Sequence, residues 1–252
     1  MSLRDGWRLA LGTLTRIPVR PPEVVDRSVA GVAMLAAPLT AVPVAVGVAV
    51  LVWWGREGHL PPLAVGLLAV ALLAWASRML HLDGLSDTVD GLTASTDRAR
   101  SLEVMRSGTA GPSGVVALVV VLGLQVVALA SLTAQEWGPL LAAAAVVASR
   151  SSLALACVRG VPAARPDGLG AAVAGAVHPV ASGLAWLVTA GLVWAVALLP
   201  GFHLGGLLAP VLAALGVAVA LRVAVRRLGG VTGDVLGACV ELSLAILLLG
   251  LA

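Results

Sequence analysis

Tyrosine and lysine are absent from the 252 residues, and phenylalanine occurs once. With so few rings to stack bases on, the sequence argues against nucleic-acid binding in spite of a pI near 10. Cysteine occurs twice, as Cys157 and Cys239 inside apolar runs, with neither the spacing of a metal site nor the framework of a disulfide scaffold; both read as ordinary buried thiols. Charge is also scarce. Only 12% of residues are charged, where soluble domains carry about 25%.

What fills the space is apolar. Hydrophobic residues make up 60% of the chain and mean hydropathy is +1.03, which places it among integral membrane proteins. Counted in segments of about 20 residues, the apolar runs fall at 29–54, 61–80, 113–133, 138–157, 180–200, 205–225 and 235–252. The expectation is an all-α polytopic membrane protein with about seven transmembrane helices, give or take one.

Residues 1–28 hold Arg4, Arg8, Arg16, Arg20 and Arg27 and no uninterrupted apolar core, so they read as a cytoplasmic or interfacial segment and not as a cleavable signal peptide. Residues 29–252 then form a single membrane catalytic domain. A cytoplasmic N-terminus leaves only Arg56 in an outer loop, a strong positive-inside bias, and puts 11 of the 13 carboxylates on the inner side. Trp53, Trp54 and Trp137 mark the outer boundary. The chemistry is expected to face the cytoplasm.

Against this sparse charge, the stretch from His81 to Gly91 places Asp83, Asp87 and Asp90 together. On a helix these side chains fall within roughly 40° of one another over about 10 Å of axis. Such a set repels itself unless a cation sits among the carboxylates, and hard oxygen ligands favour Mg²⁺, Mn²⁺ or Ca²⁺. A second pair, Asp234 and Glu241, shares one face of the last span. Asp234 reads equally as an N-cap. Glu241 does not, because an ionised side chain two turns into an apolar helix costs roughly 2.5–3.5 kcal/mol.

The remaining candidates are less specific. Gly108 to Gly114 before the third span offers free backbone N–H groups to an anion, or is a plain turn with Pro112 at the first helical position. His81 reads as a ligand, a base or a cap. Arg16 and Arg78 read as phosphate contacts or as snorkelling side chains, and Arg150, at the inner end of an Ala-rich span, as the partner of an anion. His178 and His203 have no chemical company.

Several blocks together resemble the cobalamin (5′-phosphate) synthase family, the adenosylcobinamide-GDP ribazoletransferases. They are Leu14–Val19 (LTRIPV), His81–Leu92 (HLDGLSDTVDGL), Glu103–Arg106, Ser149-Arg150, Gly168–Gly170 and Gly229–Leu242 (GGVTGDVLGACVEL), collinear over nearly the whole chain. One departure is local. Where the family has an acidic residue between Arg106 and Gly114, this chain reads Ser107-Gly108-Thr109-Ala110-Gly111-Pro112.

The resemblance implies a bacterial plasma-membrane transferase in which adenosylcobinamide-GDP reacts with α-ribazole, or its 5′-phosphate, and releases GMP. On that basis Mg²⁺ is expected on Asp83, Asp87, Asp90, Asp234 and Glu241. Arg16, His81, Arg106, Arg150, Thr232 and Gly233 are expected to bind substrate, and the chain is compatible with a homo-oligomer in the lipid bilayer. Two other readings stay open at this point. A CDP-alcohol phosphotransferase also uses a helical Asp set, but its pattern breaks here at Ser95 and Val104. A cation-coupled transporter would hold its acids near the midplane on broken helices of repeated halves.

Overall fold

The computed structural model describes residues 2–199 and 204–252. Among these, the chain is helical with no strand, and its elements run α1 (Ser2–Leu14), α2 (Arg27–Thr40), α3 (Val42–Arg56), α4 (Pro62–Ala76), α5 (Leu80–Ala94), α6 (Arg98–Val104), α7 (Pro112–Leu132), α8 (Gly138–Ser149), α9 (Ser152–Ala156), α10 (Gly168–Val173), α11 (Pro179–Ala197), α12 (Leu204–Leu228) and α13 (Gly233–Leu251). Proline at the first or second position starts α3, α4, α7, α8 and α11, where its missing N–H costs nothing.

Among the described residues, six stretches are long and apolar enough to cross a membrane: 27–56, 112–132, 138–156, 179–197, 204–228 and 233–251. A seventh arises if the bent pair α4 and α5 counts as one. This multi-pass architecture agrees with the reading of about seven spans. The expected end of the fifth span at residue 200, and His203, lie outside the described residues.

The second expected span, 61–80, is corrected. Helix α4 stops at Ala76, and α5 leaves it at 91°. Its 15 residues cover only about 22 Å, short of the ~30 Å hydrocarbon core. The break consists of two left-handed residues, Arg78 (φ 54°) and Met79 (φ 63°), each costing roughly 1–2 kcal/mol for a side chain with a Cβ. The neighbours hold it in place. The Arg78 guanidinium donates to the Gly12 and Thr13 carbonyls at the end of α1, and the Arg16 N–H donates to the Ala76 carbonyl at 3.0 Å. Arg78 is therefore an anchor for the α1 terminus.

Burial identifies the central helices. In the crossing stretches 138–156 and 233–251, 72% is buried, against 28% for α7, α11 and α12, whose outer faces are left to lipid. One core joins α3, α4, α7, α8 and the C-terminal half of α13 through Val48, Val65, Leu129, Ala145 and Leu248. A second joins α1, α2, α9, α12 and the N-terminal half of α13 through Ala10, Met34, Leu153, Leu228 and Leu236. Helix α13 thus runs through both cores. The carboxylate helix α5 packs on its N-terminal half.

Candidate active site

Two glycines set the approach of α5 to α13. A Cβ on Gly84 would lie 2.6 Å from the Asp234 carbonyl oxygen, and one on Gly237 would lie 3.0 Å from His81 Cα. Backbones this close place the α5 acids beside the first turn of α13. Asp87 is buried and sits where the charges of Asp83, Asp234, Asp90 and Arg165 all act on it. Asp83 is exposed and Asp234 half-buried. Thr232 caps α13, accepting the Val235 N–H at 3.3 Å, and its hydroxyl lies 3.1 Å from Asp234 Oδ2. Its side chain therefore orients a carboxylate, with Gly233 beside Leu169.

The structure divides the five expected metal ligands. Asp90 accepts the Gly111 N–H at 2.7 Å with Oδ2 and the Gly114 N–H at 2.8 Å with Oδ1. Both its oxygens are engaged at the N-terminus of α7, where the helix dipole favours a negative charge. Of the N–H groups that the Gly108 to Gly114 stretch was expected to offer an anion, those of Gly111 and Gly114 do meet one, and it is the chain's own Asp90 carboxylate. The fit is tight. A Cβ on Gly111 would come within 2.5 Å of Asp90 Oδ1, and one on Gly114 would overlap both Asp90 and Ser86.

Glu241 also stands apart from the Asp set, because two further turns carry it about 10 Å along the axis from Asp234. It is 4% exposed. Gln125 Nε2 donates to its Oε2 at 2.8 Å and to its carbonyl at 3.3 Å, and His81 Nδ1 lies 3.8 Å from its Oε1. The Arg150 charge acts on the same carboxylate. A guanidinium of the chain thus offsets part of the Glu241 charge through space, with no ion-pair contact between the two among the described residues. His81 is buried, and neither ring nitrogen has a hydrogen-bond partner among the described residues.

Arg165 is the residue that sequence reasoning passed over. It follows a short loop clamped to the turn before α13: Val231 N–H donates to the Pro162 carbonyl, and Ala164 N–H to the Val231 carbonyl, both at 2.9 Å. Its Nη2 donates to the Leu102 carbonyl at 2.8 Å, while its buried Nε has no partner. Asp234 and Asp87 both lie within its field. Burial lowers its pKa from the ordinary value, and Asp234 works against that shift. No sequence spacing signals this meeting, because the bridge between residues 163 and 231 is purely tertiary.

The other expected arginines go elsewhere. Arg106 Nη2 donates to both Asp167 carboxylate oxygens, at 2.7 and 2.9 Å, both side chains exposed. Arg16 stacks over the Trp75 ring at 5.2 Å, and with Arg150 it lines a cavity distinct from the Asp set. No three His, Cys, Asp or Glu side chains among the described residues close into a metal cage. The Asp83, Asp87 and Asp234 group is an open set.

Residues 6–252 match the family model described as cobalamin-5-phosphate synthase. Three similar proteins, each named adenosylcobinamide-GDP ribazoletransferase, are those of Nocardioides sp. (56% identical, covering 99% of both chains), Frankia casuarinae (39% identical, 97% of this chain and 93% of the relative) and Pseudomonas aeruginosa (40% identical, 97% and 96%). No solved structure matches.

Proposed function

The chain belongs to the cobalamin-5-phosphate synthase family, and from that membership we propose that it transfers the adenosylcobinamide phosphate of adenosylcobinamide-GDP to α-ribazole or its 5′-phosphate. The acceptor 3′-hydroxyl forms the new bond to the cobinamide-linked phosphorus, and the bond to the bridging oxygen breaks. GMP leaves with that oxygen. The observation that carries the chemistry is the close packing of α5 on the first turn of α13 at Gly84 and Gly237, which brings Asp83, Asp87 and Asp234 to one end of the bundle beside the Arg165 charge.

An open carboxylate set suits Mg²⁺, which is commonly held by one or two carboxylates with water and substrate phosphates completing the octahedron. Asp83, Asp87 and Asp234 would hold it, and when bound it neutralises the diphosphate and the departing GMP. Asp90, fixed on the α7 N-terminus, keeps α5 in register with α7. Arg165 places its guanidinium charge beside the set, where it offsets the charge of a bound phosphate. One carboxylate of the set accepts the acceptor's hydroxyl proton. Gly84 and Gly237 keep the two helices close enough for these groups to act together.

The Arg distribution supports a cytoplasmic N-terminus, with the carboxylate end facing the cytoplasm of a bacterial plasma membrane. The purified full chain, given adenosylcobinamide-GDP, α-ribazole and Mg²⁺, should release one GMP per corrinoid product. Absence of GMP release with both acceptors would remove the transferase reading.

A further inference from the structure

One cavity, of about 390 Å³, is not used by the groups described so far. It lies where the turn after α1, the junction of α2 and α3 at Thr40–Ala41, and the end of α4 meet. Its walls are mainly apolar, with Val44, Leu72 and Trp75 among them, yet Arg16 and Arg150 line it too.

Arg150 is the informative group. It is 5% exposed, its guanidinium makes one hydrogen bond, from Nη1 to Ser149 Oγ at 2.8 Å, and the Glu241 carboxylate acts on it through space without an ion-pair contact among the described residues. A guanidinium carries five N–H donors, so with one hydrogen bond made and Glu241 out of contact, most of them stay open to a charge-assisted bond to a bound anion. Arg16, exposed and stacked on Trp75, places a second cation on the same cavity. An apolar hollow with two cations calls for an apolar body carrying one anionic group.

Its position ties the cavity to the reaction. Ala76 and Ser77 in its wall lead through the break into α5, the helix of Asp83 and Asp87. The Arg150 charge also acts on His81, two residues before Asp83. The volume is at the small end of ligand pockets, about 300–1,000 Å³. It admits a bicyclic base with its ribose phosphate and excludes a corrinoid. A two-chain phospholipid would have to leave its chains outside.

We infer that this cavity is the acceptor subsite, taking α-ribazole 5′-phosphate with its benzimidazole against the apolar walls and its 5′-phosphate between Arg16 and Arg150. The inference rests on the transferase reading. It assigns these two arginines to the acceptor and leaves the donor diphosphate to Arg165 and the open carboxylate set.

The test uses the detergent-solubilised full chain with two variants, Arg16→Gln, at an exposed side chain, and Val44→Trp, which fills the cavity. GMP release is measured while each substrate is varied, and binding of α-ribazole 5′-phosphate is measured by calorimetry without donor. Arg16→Gln should raise the KM for α-ribazole 5′-phosphate about tenfold and that for unphosphorylated α-ribazole less than about twofold. Val44→Trp should raise the KM for both acceptors and leave the donor KM unchanged.

Unchanged acceptor KM values in both variants, or a raised donor KM instead, would overturn the assignment. So would a phospholipid that co-purifies with the wild type and is lost from Val44→Trp without a kinetic effect. Calorimetry separates the two readings: a wild type that binds α-ribazole 5′-phosphate, weakened in Arg16→Gln, but releases no GMP defeats the transferase reading and keeps the subsite. Turnover with unaltered acceptor binding in both variants does the reverse.

Discussion

Gln125 of α7 donates to the buried carboxylate of Glu241 on α13 at 2.8 Å, joining two crossing helices through one polar contact inside the bundle. Gln125 is 1% exposed, so its amide has no water to fall back on. The contact gives Glu241 a structural partner, and the rise of α13 separates it from Asp234.

Glu241→Gln preserves an acceptor for Gln125 and should leave the Mg²⁺ concentration for half-maximal activity unchanged. Glu241→Leu strands the Gln125 amide and should cost about 1–3 kcal/mol, read as a lowered Tm in detergent. A raised Mg²⁺ requirement in Glu241→Gln with an unchanged Tm would return this residue to the metal.

Asp87→Asn and Asp234→Asn remove charge from the open set while keeping shape. Each should abolish GMP release or reduce it by at least ~10²-fold, with membrane insertion and Tm near wild type. Asp90→Asn should behave differently, because an amide oxygen accepts only part of what the carboxylate accepts from Gly111 and Gly114. A Tm loss of about 1 kcal/mol equivalent, the usual worth of a helix cap, should come with an unchanged Mg²⁺ dependence. Full activity in both Asp87→Asn and Asp234→Asn at saturating Mg²⁺ would remove them from the site.

The membrane architecture and the Asp blocks were legible because hydropathy and i, i+4, i+7 spacing are local properties. The division of labour among the acids was not. Asp90 looks like its neighbours in sequence, and only the arrival of the α7 N-terminus marks it as a cap. Arg165 sits in an unremarkable Ala-Ala-Arg-Pro stretch and gains meaning from its clamp to Val231. The α4 break was hidden for another reason: Ser77-Arg78-Met79 contains neither Gly nor Pro, and the left-handed pair is held by contacts to α1. A broken helix beside buried acids was also the expected mark of a transporter. The full-length family match assigns this chain otherwise.

Arg165→Met should lower kcat by about 10²–10³-fold, the usual cost of one preorganised donor to a developing charge. Its Tm should fall only by the worth of the lost Nη2–Leu102 bond, about 1 kcal/mol, since the 163–231 bridge is made by backbone atoms. Arg165→Lys should recover part of the loss, as a point charge without the guanidinium fork. Equal Tm and activity losses in both variants would make Arg165 a structural residue only.

Orientation is tested by single cysteines on a Cys157→Ser, Cys239→Ser background. A cysteine at Gly58 or Glu136 should react with an impermeant maleimide on intact cells, and one at Ser95 only after permeabilisation. All three positions lie in turns or loops outside the membrane-crossing stretches. Labelling of Ser95 on intact cells would invert the topology.

The loop before α7 gives the sharpest contrast between charge and space. Thr109 is exposed and, among the described residues, hydrogen-bonded only to the Ser107 hydroxyl, at 2.9 Å, so Thr109→Asp, which restores an acid to this loop, should leave the Mg²⁺ half-saturation unchanged. Gly114 has no such freedom, because a Cβ there would overlap Asp90 and Ser86. Gly114→Ala should expel the Asp90 carboxylate from the α7 terminus, unpair two N–H groups and cost about 2–4 kcal/mol by loss of both bonds, with activity falling as α5 shifts. Gly108→Ala is a control of a different kind: its φ of 66° penalises a side chain, but a Cβ there meets nothing, so a loss of roughly 1 kcal/mol with near-normal Mg²⁺ dependence is expected. A lower Mg²⁺ requirement in Thr109→Asp, together with an unaffected Gly114→Ala, would show that this loop binds the metal and not the Asp90 carboxylate.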